Sequence, residues 1–439
     1  MVDSRIARSR LDVRIDGFRL SLSTRRETPS TMSVIDPSKL DRRELLQAGT
    51  LAATAALTMG SPSLGDEPKA SKPTLPTRKL GKTGVDVTIL NQGTWRAPGA
   101  LDRILRFSYA NGVRYFDTAK SYGSEPGIAK WFQAMPEVRK SIFLVTKDSP
   151  RRPSEMIKML DQRLANLKTD YIDLFFIHAL GDHHDTDVAV NMAGSQELKE
   201  TIETLKQSGK VKFVGFSTHH KNKAQIIEAA AKANFVDAIM LQFTPWLEND
   251  APLNRALDAA HKAGIGLISM KQIAAPDPTE FLKQVSRRLP DLKERELTPF
   301  QGLLHAIWTD ERISTCCVSM RSTDQISENA DAARRYTPLK KAEIEGLRDA
   351  FLASNPSLCA DCDGRCALAG KTNAALGDLT RYLTYHERHG ARAEARRLFA
   401  ELPEAARDWK GADLLAAQAA CPNHLNFSEL LERVERHLA

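Results

Sequence analysis

Between Arg78 and Ala333 one unit recurs: a short run of β-branched or aromatic residues, then an amphipathic helix. That alternation admits few folds, because strands joined through helices run parallel in one sheet. A hairpin over Arg78 to Leu90, turning at Gly81 and Gly84, leads into a first strand ending near Gly93. Further strands are predicted at Arg114–Asp117, Ile142–Lys147, Tyr171–His178, Val211–Ser217, Ala238–Phe243, Ile265–Met270 and Ile313–Ser319. Helices are predicted at Pro153–Leu167, Gln196–Gln207, Ala224–Ala233 and Leu253–Ala263. Several stop at a glycine (Gly112, Gly209, Gly264), where a left-handed C-cap is expected. The fold class is α/β, and eight such units read as a (β/α)8 TIM barrel over residues 77–340. No glycine-rich phosphate turn follows the first strand, which counts against an open dinucleotide-binding sheet.

The chain has 439 residues, 42% of them hydrophobic and 27% charged, which excludes disorder as the main state. No uninterrupted apolar run approaches the ~18 residues of a spanning helix. Lys and Arg total 62 against 55 Asp and Glu, and they are interspersed. The net charge of +7 therefore reads as solvated helix faces, and no nucleic-acid partner is expected.

Strand ends in such a barrel carry its chemistry. Asp117 closes the second strand, Tyr122 follows in its loop, Lys147 closes the third strand and His178 the fourth. Singly, each has a bland reading as a cap, a loop aromatic, a surface charge or a core histidine. Together they make a proton donor. A phenol of pKa ~10 is a poor acid at neutral pH, and an adjacent ammonium is expected to lower that value. A buried carboxylate keeps the lysine charged and fixed, while an imidazole orients a carbonyl oxygen. The histidines His183, His184, His219 and His220 on the neighbouring loops read as solvated rather than as metal ligands.

With Gly112 to Gly123 carrying Asp117-Thr118-Ala119-x-x-Tyr122-Gly123, the region from Arg78 to Ala333 resembles the aldo-keto reductase superfamily. The resemblance implies hydride transfer between NADP(H) and an aldehyde, ketone or alcohol, with Asp117, Tyr122, Lys147 and His178 as the catalytic tetrad. It implies further that Ser217 and Gln242 hold the nicotinamide amide, with Thr218 where the family carries Asn. Arg321, Ser322, Glu328 and Asn329 then face the 2′-phosphate and adenine. Gln325 stands where many members have a second arginine, which leaves NAD(H) open as an alternative. A non-catalytic dinucleotide sensor on the same scaffold is the rival reading.

Residues 341–439 read as a helical domain with helices at Leu379–Arg388, Ala393–Leu402 and Phe427–Leu438. Cys359, Cys362, Cys366 and Cys421-Pro422 look like ferredoxin-type ligands of a 4Fe–4S cluster, though the second spacing is three residues rather than two. Four-thiolate zinc and disulfides are the alternatives. Cys316 and Cys317, in the eighth strand, are expected to be packing residues. Residues 1–76 read as a leader and linker. Arg42-Arg43, the small apolar run Ala48 to Met59 and the Pro/Ser/Lys-rich exit resemble a twin-arginine export signal. Met32 is the expected start, and export is expected to leave the protein periplasmic or membrane-anchored, with a cytoplasmic location the alternative if the signal is degenerate. The partners then include the twin-arginine machinery and an electron-transfer protein for the cluster.

Overall fold

A computed structural model of the chain describes residues 75–95, 101–181, 186–220, 222–245, 251–272, 290–354, 357, 359, 364–388 and 390–439. The leader with Arg42-Arg43 and Met32 lies outside these residues, as do His183, His184 and Cys362.

β1 (Thr77–Lys79) and β2 (Asp86–Thr88) pair antiparallel, turning through a 3-10 segment at Gly81–Thr83 and Gly84 at φ 76°. Eight strands then close a parallel barrel. They are β3 (Leu90–Gly93), β4 (Tyr115–Asp117), β5 (Phe143–Asp148), β6 (Ile172–Ile177), β7 (Val211–Thr218), β8 (Ala238–Gln242), β9 (Gly266–Met270) and β10 (Ile313–Val318). Closure comes from β10, which pairs with β9 on one side and β3 on the other. The glycines expected to end helices do so in the left-handed region, with φ of 96° at Gly112, 70° at Gly209 and 73° at Gly264. The helix expected from Pro153 opens as a 3-10 turn, Pro153–Glu155, before the α-helix Met156–Leu167.

Because side chains alternate along a strand, two cores form. Outward residues pack under the helices with Ile104, Trp131, Leu160, Ile227 and Ile307. Inward residues, including Tyr115, Phe143, Leu174, Phe176 and Met240, fill the barrel itself. Leu80, carried by the hairpin, is fully buried in this inner cluster. A Cβ added at Gly266 would come 2.6 Å from Leu80 Cδ1, so a bare backbone there makes room for the plug. After the barrel, helix Lys341–Ser354 sends Leu347 and Ala350 into the outer core. A separate apolar cluster joins Leu376, Leu383, Phe399, Phe427 and Leu431 from helices Leu376–Glu387, Arg392–Glu401 and Phe427–Leu438. Among the described residues no helix is long and apolar enough to cross a membrane.

Candidate active site

Alternation delivers the site. Tyr115, Val145 and Phe176 belong to the inner cluster, so Asp117, Lys147 and His178, each two residues further on, project from the same inward rows at the C-terminal mouth. Lys147 Nζ lies 2.5 Å from Asp117 Oδ1 and donates also to the Thr118 carbonyl at 3.0 Å. Both charged side chains are almost wholly buried. Tyr122 ends the 3-10 turn Lys120–Tyr122, which Gly123 closes at φ 66°. Its ring centroid is 5.4 Å from Lys147 Nζ and 5.6 Å from the His178 ring, which meets it edge-on. His178 Nδ1 is 3.4 Å from Ser121 Oγ. The structure thus brings together all four residues singled out at the strand ends.

The electrostatics depart from the sequence reading in one respect. Burial pushes the Tyr122 phenol up to about 12, against the opposing pull of the Lys147 ammonium. The expectation that Lys147 lowers it below the ordinary value is therefore corrected: burial outweighs the ammonium. Burial also pulls Lys147 down, but the carboxylate of Asp117 and the Tyr122 phenol more than offset it and hold the amine above its usual range. Burial raises the Asp117 carboxyl in turn, with Lys147 opposing.

Behind this mouth lies a buried ionic network. Glu125, three residues past Tyr122, accepts from Thr146 Oγ1 and Arg163 Nη1, both at 2.8 Å. Arg163 Nε is 3.4 Å from Asp148 Oδ2, and Lys120 Nζ is 3.4 Å from Asp148 Oδ1. Asp148 follows Lys147 directly and its carbonyl accepts from the His178 backbone N–H at 2.7 Å. The turn bearing Tyr122 is thereby tied to the strands bearing Lys147 and His178. Glu125, Asp148 and Arg163 were not singled out from sequence. The signal was a charge at buried helix and strand positions beside the tetrad.

The residues expected to hold a dinucleotide are spread along the rim. Ser217 is buried at the end of β7, its Oγ accepting from the Ala179 N–H at 2.9 Å. Gln242 is buried at the end of β8. Ser322 caps helix Thr323–Arg334, accepting from Gln325 N at 3.2 Å. Gln325 Oε1 accepts from the backbone N–H of exposed Arg321 at 2.7 Å. Glu328 accepts from Thr298 Oγ1 at 2.5 Å, and Asn329 is buried. Cys316 faces outward into the helix-side core, as expected of a packing residue, with Gln272 Nε2 2.9 Å from its sulfur. Cys317 packs too, but on the other side: it faces inward against the inner cluster, beside Asp117 and Lys147. Alternation along β10 makes two neighbouring cysteines part in this way. Among the described residues no three His, Cys, Asp or Glu side chains gather to hold a metal.

The barrel defined by these features is of the NAD(P)-dependent oxidoreductase class. Residues 91–307, just under half of the chain, match the Aldo/keto reductase family model. The oxidoreductase YrpG of Bacillus subtilis is 29% identical over 224 residues, covering 44% of this chain and 65% of that protein. An NAD(P)H-dependent D-xylose reductase of Candida tropicalis is 24% identical over 303 residues, covering 59% of this chain and 88% of the relative. Among solved structures, an aldo-keto reductase of Bacillus halodurans in its holo form superposes with a TM-score of 0.51 at 22% identity. That match covers 63% of this chain and 96% of the other, and it speaks to the fold.

Proposed function

We propose that the protein transfers hydride between NADP(H) and a small aldehyde or ketone, or the corresponding alcohol. The observation that carries this reading is the Asp117–Lys147 pair buried under the Tyr122 ring, with His178 edge-on beside it. A nicotinamide dinucleotide would supply the hydride. Ser217 and Gln242, two hydrogen-bonding side chains on the same rim as the tetrad, suit its amide. Arg321, Ser322 and Gln325 lie at the start of helix Thr323–Arg334, where backbone N–H groups and a guanidinium suit a phosphate, and Glu328 and Asn329 follow about a turn further along it.

Tyr122 then acts as the general acid. With its phenol near 12, it is fully protonated at working pH and gives its proton to the carbonyl oxygen as negative charge develops there. The phenolate so formed meets the Lys147 ammonium, which Asp117 keeps charged and in place. His178 orients the carbonyl oxygen between itself and the phenol. Tyr122→Phe tests the reading: turnover of NADPH with a panel of aromatic and aliphatic aldehydes should collapse while NADPH still quenches protein fluorescence. Wild-type protein that binds NADPH and reduces nothing on the panel would instead favour a dinucleotide sensor.

We propose further that Cys359, Cys362, Cys366 and Cys421 ligate one 4Fe–4S cluster. Support comes from Cys366 and Cys421, buried in a single apolar cluster, and from Cys359, whose sulfur packs against Gly377 on the helix of the same domain. The described thiols do not by themselves gather around a point, and no step of the reaction is routed through the cluster. Anaerobic purification with an iron assay and a visible spectrum decides between iron, zinc and disulfides. The arginine pair in the leader supports export by a twin-arginine route, with an electron-transfer protein as partner of such a cluster. N-terminal sequencing of export-blocked precursor checks this, and peptides from residues 1–31 would sink Met32 as the start.

A further inference from the structure

We propose that Cys317 is a positioning residue for the tetrad: its thiol reaches across Gly93 and donates to the second oxygen of Asp117. This rests on the oxidoreductase reading above. The geometry begins with Asp117, whose Oδ1 is taken by Lys147. Oδ2 is buried and has no hydrogen-bond partner. A buried carboxylate oxygen left this way is costly, so a donor is expected to face it.

Two strands away, Cys317 on β10 points into the barrel among the inner residues. The strand between them is β3, whose Gly93 pairs in register with Asp117. A Cβ added at Gly93 would come within 3.3 Å of Cys317 Sγ and 2.7 Å of Ser319 Oγ. The bare backbone at 93 is therefore what lets the thiol approach the carboxylate over the intervening strand. The two groups act on each other: the Asp117 charge raises the thiol, and the thiol draws the Asp117 carboxyl down. Burial, with the Asp117 charge adding to it, pushes the Cys317 thiol well above its usual range. The sulfur accordingly keeps its proton at working pH and serves as a donor, not as a thiolate nucleophile. Two other buried polar groups in this part of the barrel, the Tyr115 hydroxyl and the Asn91 amide, also have no partner. Of the three, only the thiol acts to lower the Asp117 carboxyl.

The chemical consequence runs through one bond. A donor on Oδ2 favours the ionised carboxylate and fixes its rotation, which holds the Lys147 ammonium under Tyr122. Cys317 touches no reacting atom on this account; it acts through Asp117.

The test compares Cys317→Ala with Cys317→Ser in the full-length protein, using NADPH and a reducible aldehyde from the panel. Loss of one modest hydrogen bond to a charged group predicts turnover about fivefold lower in the alanine variant. NADPH affinity should stay unchanged, and the serine hydroxyl should restore the rate. A second readout needs no turnover. The Raman spectrum of wild type minus Cys317→Ser isolates one S–H stretch, expected at a hydrogen-bonded position and moving to that of a free thiol in Asp117→Ala. If Cys317→Ala does not fold, Cys317→Val against Cys317→Ser gives the same contrast. An alanine variant with the wild-type rate, a serine variant as impaired as alanine, or an S–H band indifferent to Asp117 overturns the proposal alone. Wild-type protein without turnover on any aldehyde overturns the oxidoreductase reading and this proposal with it.

Discussion

At the floor of the barrel, the hairpin pushes Leu80 among Val87, Tyr115, Phe143 and Ile268, and the side chains gathered there form an apolar cluster. At the mouth, the same strands two residues further on carry Asp117, Lys147 and His178, with a buried ion pair and a phenol held protonated. The floor gains stability from area removed from water. The mouth desolvates charges, which seldom adds stability and is compatible with a role in chemistry. Strand alternation lets one set of strands do both. The comparison teaches that depth along a strand, rather than which strand, separates the two roles.

The sharpest break between the ends is Tyr122→Phe. It removes only the hydroxyl, so packing of the ring over Lys147 survives. Loss of a general acid predicts turnover lower by about 10²–10⁴-fold, with NADPH binding and melting temperature close to wild type. The phenol near 12 sets the pH dependence as well. Below that value Tyr122 is protonated, so carbonyl reduction should be insensitive to its titration from about pH 6 to 9. Alcohol oxidation needs the phenolate and should rise with pH over the same range. Initial rates in both directions check the sign, and an oxidation rate falling with pH would remove Tyr122 from the role.

Lys147→Met probes the cost of the mouth. It leaves Asp117 buried without its cation, and breaking a buried pair by removing one partner costs about 3–5 kcal/mol. Replacing both members, as in Asp117→Leu with Lys147→Met, should recover much of that stability and none of the activity. Urea denaturation of the single and double variants measures the difference. A single variant as stable as wild type would mean that the pair is not desolvated. Leu80→Ala is the mirror experiment at the floor. A cavity there costs about 2–5 kcal/mol, and turnover below the melting transition should be kept. Should Leu80→Ala lower turnover as much as stability, the two ends are coupled and the comparison fails.

The same contrast decides what was legible in the sequence. The eight units, the glycine caps at Gly112, Gly209 and Gly264, and the four polar strand ends all follow from local pattern, because period and turn chemistry are written residue by residue. Burial is not local. That is why the pull of Lys147 on Tyr122 was visible in the residue types and the larger effect of desolvation was not. Cys316 and Cys317 are alike in sequence, and one residue of register sends one to the helices and the other to Asp117. Counting in twos back from the mouth would have separated them. The Glu125–Arg163–Asp148 network was hidden for another reason: its members come from two helices and a strand that only the closed barrel brings together.

A milder effect than any at the mouth or floor is expected at Arg321, beside the helix that follows β10. The Gln325 side chain is occupied with the Arg321 backbone, and Ser322 is occupied capping the helix. Selection of a 2′-phosphate would then fall to the Arg321 guanidinium, which stands exposed at the start of helix Thr323–Arg334. An exposed charge-assisted hydrogen bond sits at the low end of the usual range, so Arg321→Ala should weaken NADPH binding by about tenfold. NADH, which lacks that phosphate, should bind the variant as it binds wild type, and raising the salt concentration should narrow the NADPH gap in the wild type alone. Fluorescence titrations with both dinucleotides give the four constants needed. Equal losses for NADPH and NADH would place Arg321 in a structural role, and no loss for either would move phosphate recognition elsewhere on the rim.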